Sequence, residues 1–181
     1  MSIEITLNGP GKNALGSSMM DFIIDQLAAA NGAPVLITGA GDAFSAGLNL
    51  KELAGLDGVG MERFLRKLEQ MVEAIFLYPG PTVAFVNGHA VAGGSVVALC
   101  CDRIVCAENP GAKIGLNEVA LGLRFPPVTL AMVMSRISPP HLNEVILGAQ
   151  LHDPAGAERL GLVDERAGDV AVARERLAVL A

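Results

Sequence analysis

Apolar and polar residues alternate through Ile3-Glu4-Ile5-Thr6-Leu7, which predicts an opening strand. Apolar positions then recur at helical spacing through Met20, Ile23, Ile24 and Leu27, with Ser17 and Ser18 placed to cap that helix. Val35-Leu36-Ile37 is a short, largely β-branched run and predicts a strand. The turn residues Gly39-Ala40-Gly41-Asp42 lead into Phe44-Ser45-Ala46-Gly47 and a short helix near Leu50 to Leu56. From Gly60 to Leu77, Met61, Phe64, Leu65, Leu68, Met71, Val72, Ile75 and Phe76 make one apolar stripe on an otherwise charged helix, which Pro79 ends.

The second half repeats the pattern. Thr82 to Val86 predicts a strand, Asn87-Gly88 a turn, and Ala92-Gly93-Gly94 the entry to a helix running through Cys101 that is apolar all round and therefore central. Strand-like Ile104-Val105-Cys106 and a short segment at Ile114-Gly115 follow. Helical stretches are predicted at Pro127 to Arg136, His141 to Gly148, Pro154 to Leu160 and Val170 to Leu180. Strands alternating with helices make this an α/β protein, read as one domain over residues 1–181 with a helical C-terminal part from about 127.

Composition narrows the classes. With 51 % hydrophobic residues and 18 % charged, the 181-residue chain has enough apolar surface for one real core and for contacts with sister subunits. The net charge of −6 carries no Lys/Arg run, which argues against nucleic acid and against an anionic membrane surface. Cys100, Cys101 and Cys106 are odd in number and lack metal-ligand spacing, so neither a disulfide framework nor a zinc site is indicated; a reducing, cytoplasmic location is expected. No secretory n-region opens the sequence. The uncharged stretch from Pro79 to Cys101 is broken by Pro81, Asn87, Gly88, Gly93 and Gly94 and reads as strand, turn and buried helix.

The chemistry lies in the two glycine turns, each after a strand and before a helix, where free backbone N–H groups and a helix N-terminus can converge on one oxygen. Nucleotide loops fail on spacing: Gly39-Ala40-Gly41 lacks a third glycine and no Walker lysine follows. Gly93-Gly94-Ser95-Val96-Val97 begins like a nucleophile elbow but ends in Val97, and His89 offers no triad with Ser95.

Gly39-Ala40-Gly41-Asp42-Ala43-Phe44-Ser45-Ala46-Gly47, with Leu48-Asn49-Leu50-Lys51-Glu52 after it, resembles the first signature of the crotonase (enoyl-CoA hydratase/isomerase) superfamily, except that Asn49 stands where Asp is usual. Asn87 to Gly94 resembles the second signature, with Asp102-Arg103-Ile104-Val105 following in the family's manner. Gly11-Lys12-Asn13-Ala14-Leu15, Pro154 to Ala157 and Leu160 to Val163 resemble its early and late segments. Against that pattern the sequence starts near the second customary strand and stops where further helices usually follow.

The resemblance implies a spiral of β-β-α turns, assembly as trimers or pairs of trimers, and binding of acyl-CoA thioesters with no metal or cofactor. It implies Ala46 and Gly93 as backbone oxyanion donors and Glu118 as the acid–base residue. It also implies substrate contacts at Lys12 and Ala14 near the nucleotide, Lys51 near its phosphates, and further substrate-binding positions at Phe44, Leu48, Gly94 and Val96. Family hydratases use two glutamates; Val96 stands at the first position and Glu118 at the second. The run Ala92 to Leu99 and Ile114-Gly115-Leu116-Asn117-Glu118 resemble the 3,2-enoyl-CoA isomerase branch, whose reaction needs one base. Hydration, thioester hydrolysis, decarboxylation, and a non-catalytic acyl-CoA-binding subunit remain the alternatives.

Overall fold

A computed structural model describes residues 2–181. Five parallel strands, β1 (Ile3–Leu7), β2 (Val35–Gly39), β4 (Thr82–Val86), β6 (Arg103–Ala107) and β8 (Glu165–Ala167), form one sheet in the order β1-β2-β4-β6-β8. Three short strands, β3 (Ala43–Ser45), β5 (His89–Val91) and β7 (Ile114–Gly115), form a second parallel sheet in the order β3-β5-β7. The chain visits the large sheet, then the small one, then returns through a helix: β2-β3, β4-β5 and β6-β7 are three such β-β-α turns, the expected spiral.

The helical elements are α1 (Pro10–Asn13, a single turn), α2 (Ser17–Ala30), α3 (Leu50–Leu53), α4 (Gly58–Phe76), α5 (Gly93–Cys100), α6 (Pro127–Arg136), α7 (Pro154–Arg159) and α8 (Val170–Leu180). The central strands are buried on both faces, which is why they read as continuous apolar runs. One set of their side chains, including Ile37, Ala84, Val86 and Ile104, packs with α2, α4 and α5; the alternate set, Leu36, Val83, Phe85 and Val105, packs with Ala173 and Leu177 of α8. All eight residues of α5 are buried. No helix among the described residues is long and apolar enough to cross a membrane.

Several local expectations change. Ser17 and Ser18 do not cap α2. Gly16 holds that position without a side-chain bond, and the Glu52 carboxylate accepts from the Ser17 N–H and hydroxyl instead. Helix α4 starts two residues early because Asp57 accepts from Gly60 N–H at 2.7 Å. The helix expected from His141 to Gly148 is a 3₁₀ turn (Pro139–His141) followed by a π-helical turn (Asn143–Leu147). Asn49, at the position where Asp is usual in the family, accepts from Glu52 N–H and caps α3.

Candidate active site

The small sheet brings the two glycine turns and Glu118 together. Strand β3 ends at Ser45 and runs into Ala46-Gly47-Leu48; β5 ends at Val91 and runs into Ala92-Gly93; β7 ends at Gly115, three residues before Glu118. Since Val91 pairs with Gly115, Gly93 and Glu118 each lie within roughly 10 Å of chain from that pair. Ser95 ties the pieces further: its hydroxyl donates to Ala90 O at 2.6 Å and accepts from Gly115 N–H at 3.1 Å. Both partners being backbone, Ser95 has no free role as a nucleophile.

The N–H groups left without an acceptor are not the two that the sequence suggested. Ala46 N–H donates to Lys12 O at 3.0 Å, so it is not available to a ligand. Leu15 N–H donates to Gly47 O at 2.8 Å and Asn49 N–H donates to Leu15 O at 3.1 Å. In this parallel bridge the Leu48 N–H points away from Leu15, and it has no acceptor among the described residues. Gly93 N–H opens α5, where an N–H has no partner within its own helix, and it too has no acceptor. A Cβ on Gly47 would sit 2.6 Å from Val91 O and 3.4 Å from Gly93 N, so Gly47, with φ +87°, is the point where the two turns touch. Leu48 and Gly93 therefore replace Ala46 and Gly93 as the free pair. The missing signal was the Lys12–Ala46 bond, a contact across 34 positions that no local pattern announces.

Ala92, just before Gly93, has φ +49° and ψ −119°, a conformation costly for alanine, held by Ala92 N–H donating to Gly115 O at 2.8 Å. Strain at this point aims the first N–H of α5.

Glu118 is 9 % exposed, and its Oε2 is buried without a hydrogen-bond partner among the described residues. Burial raises its pKa to about 7, opposed by a hydrogen bond from its own backbone, and among the described residues no other charged side chain contributes. Asn117 Oδ1, next to it, is also buried and unpaired. The group is thus a single desolvated carboxyl three residues beyond β7, the strand that pairs with the one leading into Gly93.

The other expected contacts divide. Ala14 lines a cleft of about 370 Å³ with Gly9, Gly16, Met19, Phe22 and Asn49. Lys51 is exposed on α3, and Lys12 is exposed but paired to Asp42 at 2.8 Å. Phe44, Gly94 and Val96 are corrections: Phe44 is fully buried and Val96 2 % exposed, both within the core, and a Cβ on Gly94 would lie 2.2 Å from Ser45 O. They pack α5 against β3, and the side-chain positions at these three residues face that packing. Among the described residues, no three His, Cys, Asp or Glu side chains gather around a metal position.

With this geometry in view, residues 2–181 match the family described as Enoyl-CoA hydratase/isomerase. A Thermus thermophilus protein assigned as an enoyl-CoA hydratase is 37 % identical over 133 residues, 72 % of this chain and 51 % of its own. The mitochondrial enoyl-CoA delta isomerase 1 of Mus musculus is 34 % identical over 122 residues, 67 % of this chain and 42 % of its own. The chain thus spans about half the length of these relatives. The crystal structure of an enoyl-CoA hydratase from Thermoplasma volcanium superposes with a TM-score of 0.87 at 25 % identity, over 98 % of this chain and 73 % of that one.

Proposed function

The chain belongs to the enoyl-CoA hydratase/isomerase family, and from that premise we propose that it acts on enoyl-CoA thioesters as a 3,2-enoyl-CoA isomerase. The observation that carries the choice is Glu118: a lone buried carboxyl among the described residues whose raised pKa owes nothing to a second acid, with Val96 in the core at the position of the first hydratase glutamate. One base suffices to move a double bond, whereas holding a water for addition is a task suited to two carboxylates.

In the proposed reaction the thioester oxygen accepts from Leu48 N–H and Gly93 N–H. Glu118 takes the C2 proton of a 3-enoyl thioester, the electron pair spreads into a dienolate whose oxygen charge the two donors hold, and Glu118 returns the proton to C4. The double bond ends between C2 and C3, and no atom is gained or lost. Each donor supplies about 3 to 4 kcal/mol of transition-state stabilisation by mutational precedent. A pKa of about 7 makes Glu118 a stronger base than an ordinary carboxylate while leaving a large fraction ionised at neutral pH.

The relative assigned as a hydratase favours a second reading, in which Glu118 activates water for addition to a 2-enoyl thioester. The test is to offer a 3-enoyl-CoA and a 2-enoyl-CoA separately while following the α,β-unsaturated thioester chromophore. Chromophore gain from the first without loss from the second supports isomerisation; loss from the second establishes hydration, and silence with both overturns either activity.

A further inference from the structure

Asn13 is 3 % exposed, and both polar atoms of its side chain are engaged. Its Nδ2 donates to the carbonyl oxygens of Ala40 (2.9 Å), Ala43 (2.8 Å) and Phe44 (3.3 Å). Its Oδ1 accepts from Gly9 N–H (3.1 Å), and its backbone oxygen accepts from the Ser45 hydroxyl (2.8 Å). None of these bonds touches the candidate donors or Glu118. The backbone they hold is unusual: Gly11, Lys12 and Asn13 have φ of +67°, +59° and +59°, three consecutive left-handed residues of which two carry side chains. Such a turn persists only where its surroundings over-determine it.

What the turn sets lies on either side of Asn13. Lys12 O receives Ala46 N–H at 3.0 Å, while Leu15 receives Asn49 N–H at 3.1 Å and donates to Gly47 O at 2.8 Å. These three bonds bracket residues 46–49 and, with Gly47 N–H donating to Ser45 Oγ at 3.2 Å, leave only the Leu48 N–H of that stretch without an acceptor among the described residues. Rotating the turn by one peptide would redirect that N–H.

We propose that Asn13 is a positioning residue for the oxyanion hole: its carboxamide locks the left-handed turn 11–13 against residues 40–44 and thereby fixes the direction of the Leu48 N–H. The inference rests on the reading of Leu48 and Gly93 as the donor pair. It goes beyond a fold-stabilising asparagine, because a purely structural role would lower melting temperature without changing how strongly a bound carbonyl is polarised.

The test uses Asn13→Gly, which accepts the positive φ and removes the carboxamide. A saturated acyl-CoA labelled at its carbonyl carbon is bound to each protein well below both melting temperatures, and the thioester C=O stretch is read by difference infrared spectroscopy. The unaltered protein is expected to lower the stretch relative to free thioester. Folded Asn13→Gly is expected to lose about half of that lowering, one donor of two, and to turn over 3-enoyl-CoA on the order of 100-fold more slowly at little-changed KM. Ser45→Ala, which removes the hydroxyl tying Asn13 O and Gly47 N–H, is expected to fall between them, and decides by the same criterion if Asn13→Gly does not fold. Full lowering retained in the folded variant overturns the inference and leaves the proposed activity standing. No lowering in the unaltered protein overturns the donor pair itself, and this inference with it.

Discussion

Glu118 is a carboxyl whose burial costs the ionised form, so its protonation couples the candidate site to the stability of the fold. With a folded pKa of about 7 against an ordinary 4.5, the native state binds the proton more tightly than the unfolded chain does. The stability associated with the neutral form is therefore complete below pH 4.5 and is lost as pH rises through 7. Replacing Glu118 by Gln removes this dependence. The unfolding free energy of wild type relative to Glu118→Gln should fall by about 3 kcal/mol between pH 4 and pH 8, measured by urea unfolding at several pH values. Catalysis runs the other way: as a base, Glu118 must be ionised, so kcat/KM should rise with pH to a plateau above about 7. Glu118→Gln should lower kcat by about 10²- to 10⁴-fold while calorimetric binding of acyl-CoA persists. Retained activity would remove Glu118 from the reaction. This residue was legible because its setting, Ile114 to Glu118, is a contiguous run with a family likeness. That the Leu48 N–H is left without an acceptor was not legible, because it depends on which partners Ala46, Gly47 and Asn49 find in the distant 12–15 segment.

Among the elements, α5 carries the greatest constraint. Its apolar character all round made it readable as central, and all eight residues are indeed buried. The reason for Gly94 was not readable: a Cβ there would sit 2.2 Å from Ser45 O, backbone that cannot step aside without moving β3. Gly94→Ala should therefore cost about 1 to 3 kcal/mol of stability and, by tilting the first turn of α5, reduce kcat more than KM. Chemical denaturation and steady-state kinetics on the same preparation check both parts; an unchanged kcat would separate α5 packing from the chemistry. By contrast, Asp57→Ala removes only the cap of α4 and should cost about 1 kcal/mol. Strands β1, β2, β4 and β6 of the large sheet and the long helices were legible from period and length. Strands β3, β5 and β8 were not: each has three residues, too few to express a period of two, and the glycines beside β3 and β5 read as turns. The small sheet that assembles the candidate site was thus the least visible part of the fold.

At the scale of the whole molecule, the large sheet divides the protein into a face with candidate chemistry and a face without it. Alternate side chains of β2, β4 and β6 pack either with α2, α4 and α5 or with α8, so one strand serves two cores at a spacing of one residue. Both glycine turns and Glu118 lie with the small sheet and α5, whereas α8 covers the far side through Ala173 and Leu177 against Leu36, Val83, Phe85 and Val105. Two ion pairs also engage α8, Arg174 with Glu4 at 2.9 Å and Arg176 with Glu165 at 2.7 Å, but they lie near the surface and add little beside the apolar contact. Leu177→Ala should therefore cost about 2 to 4 kcal/mol and lower the melting temperature by several degrees, with kcat and KM unchanged at temperatures where the variant is fully folded. If instead kcat falls in the folded variant, strain must pass through the sheet from its α8 face to α5, and the two cores would be one mechanical unit. The separate packing partners of Leu36 and Ile37, adjacent in β2, favour independence: a cavity beneath α8 can relax among its own neighbours before it reaches the turn that aims Gly93.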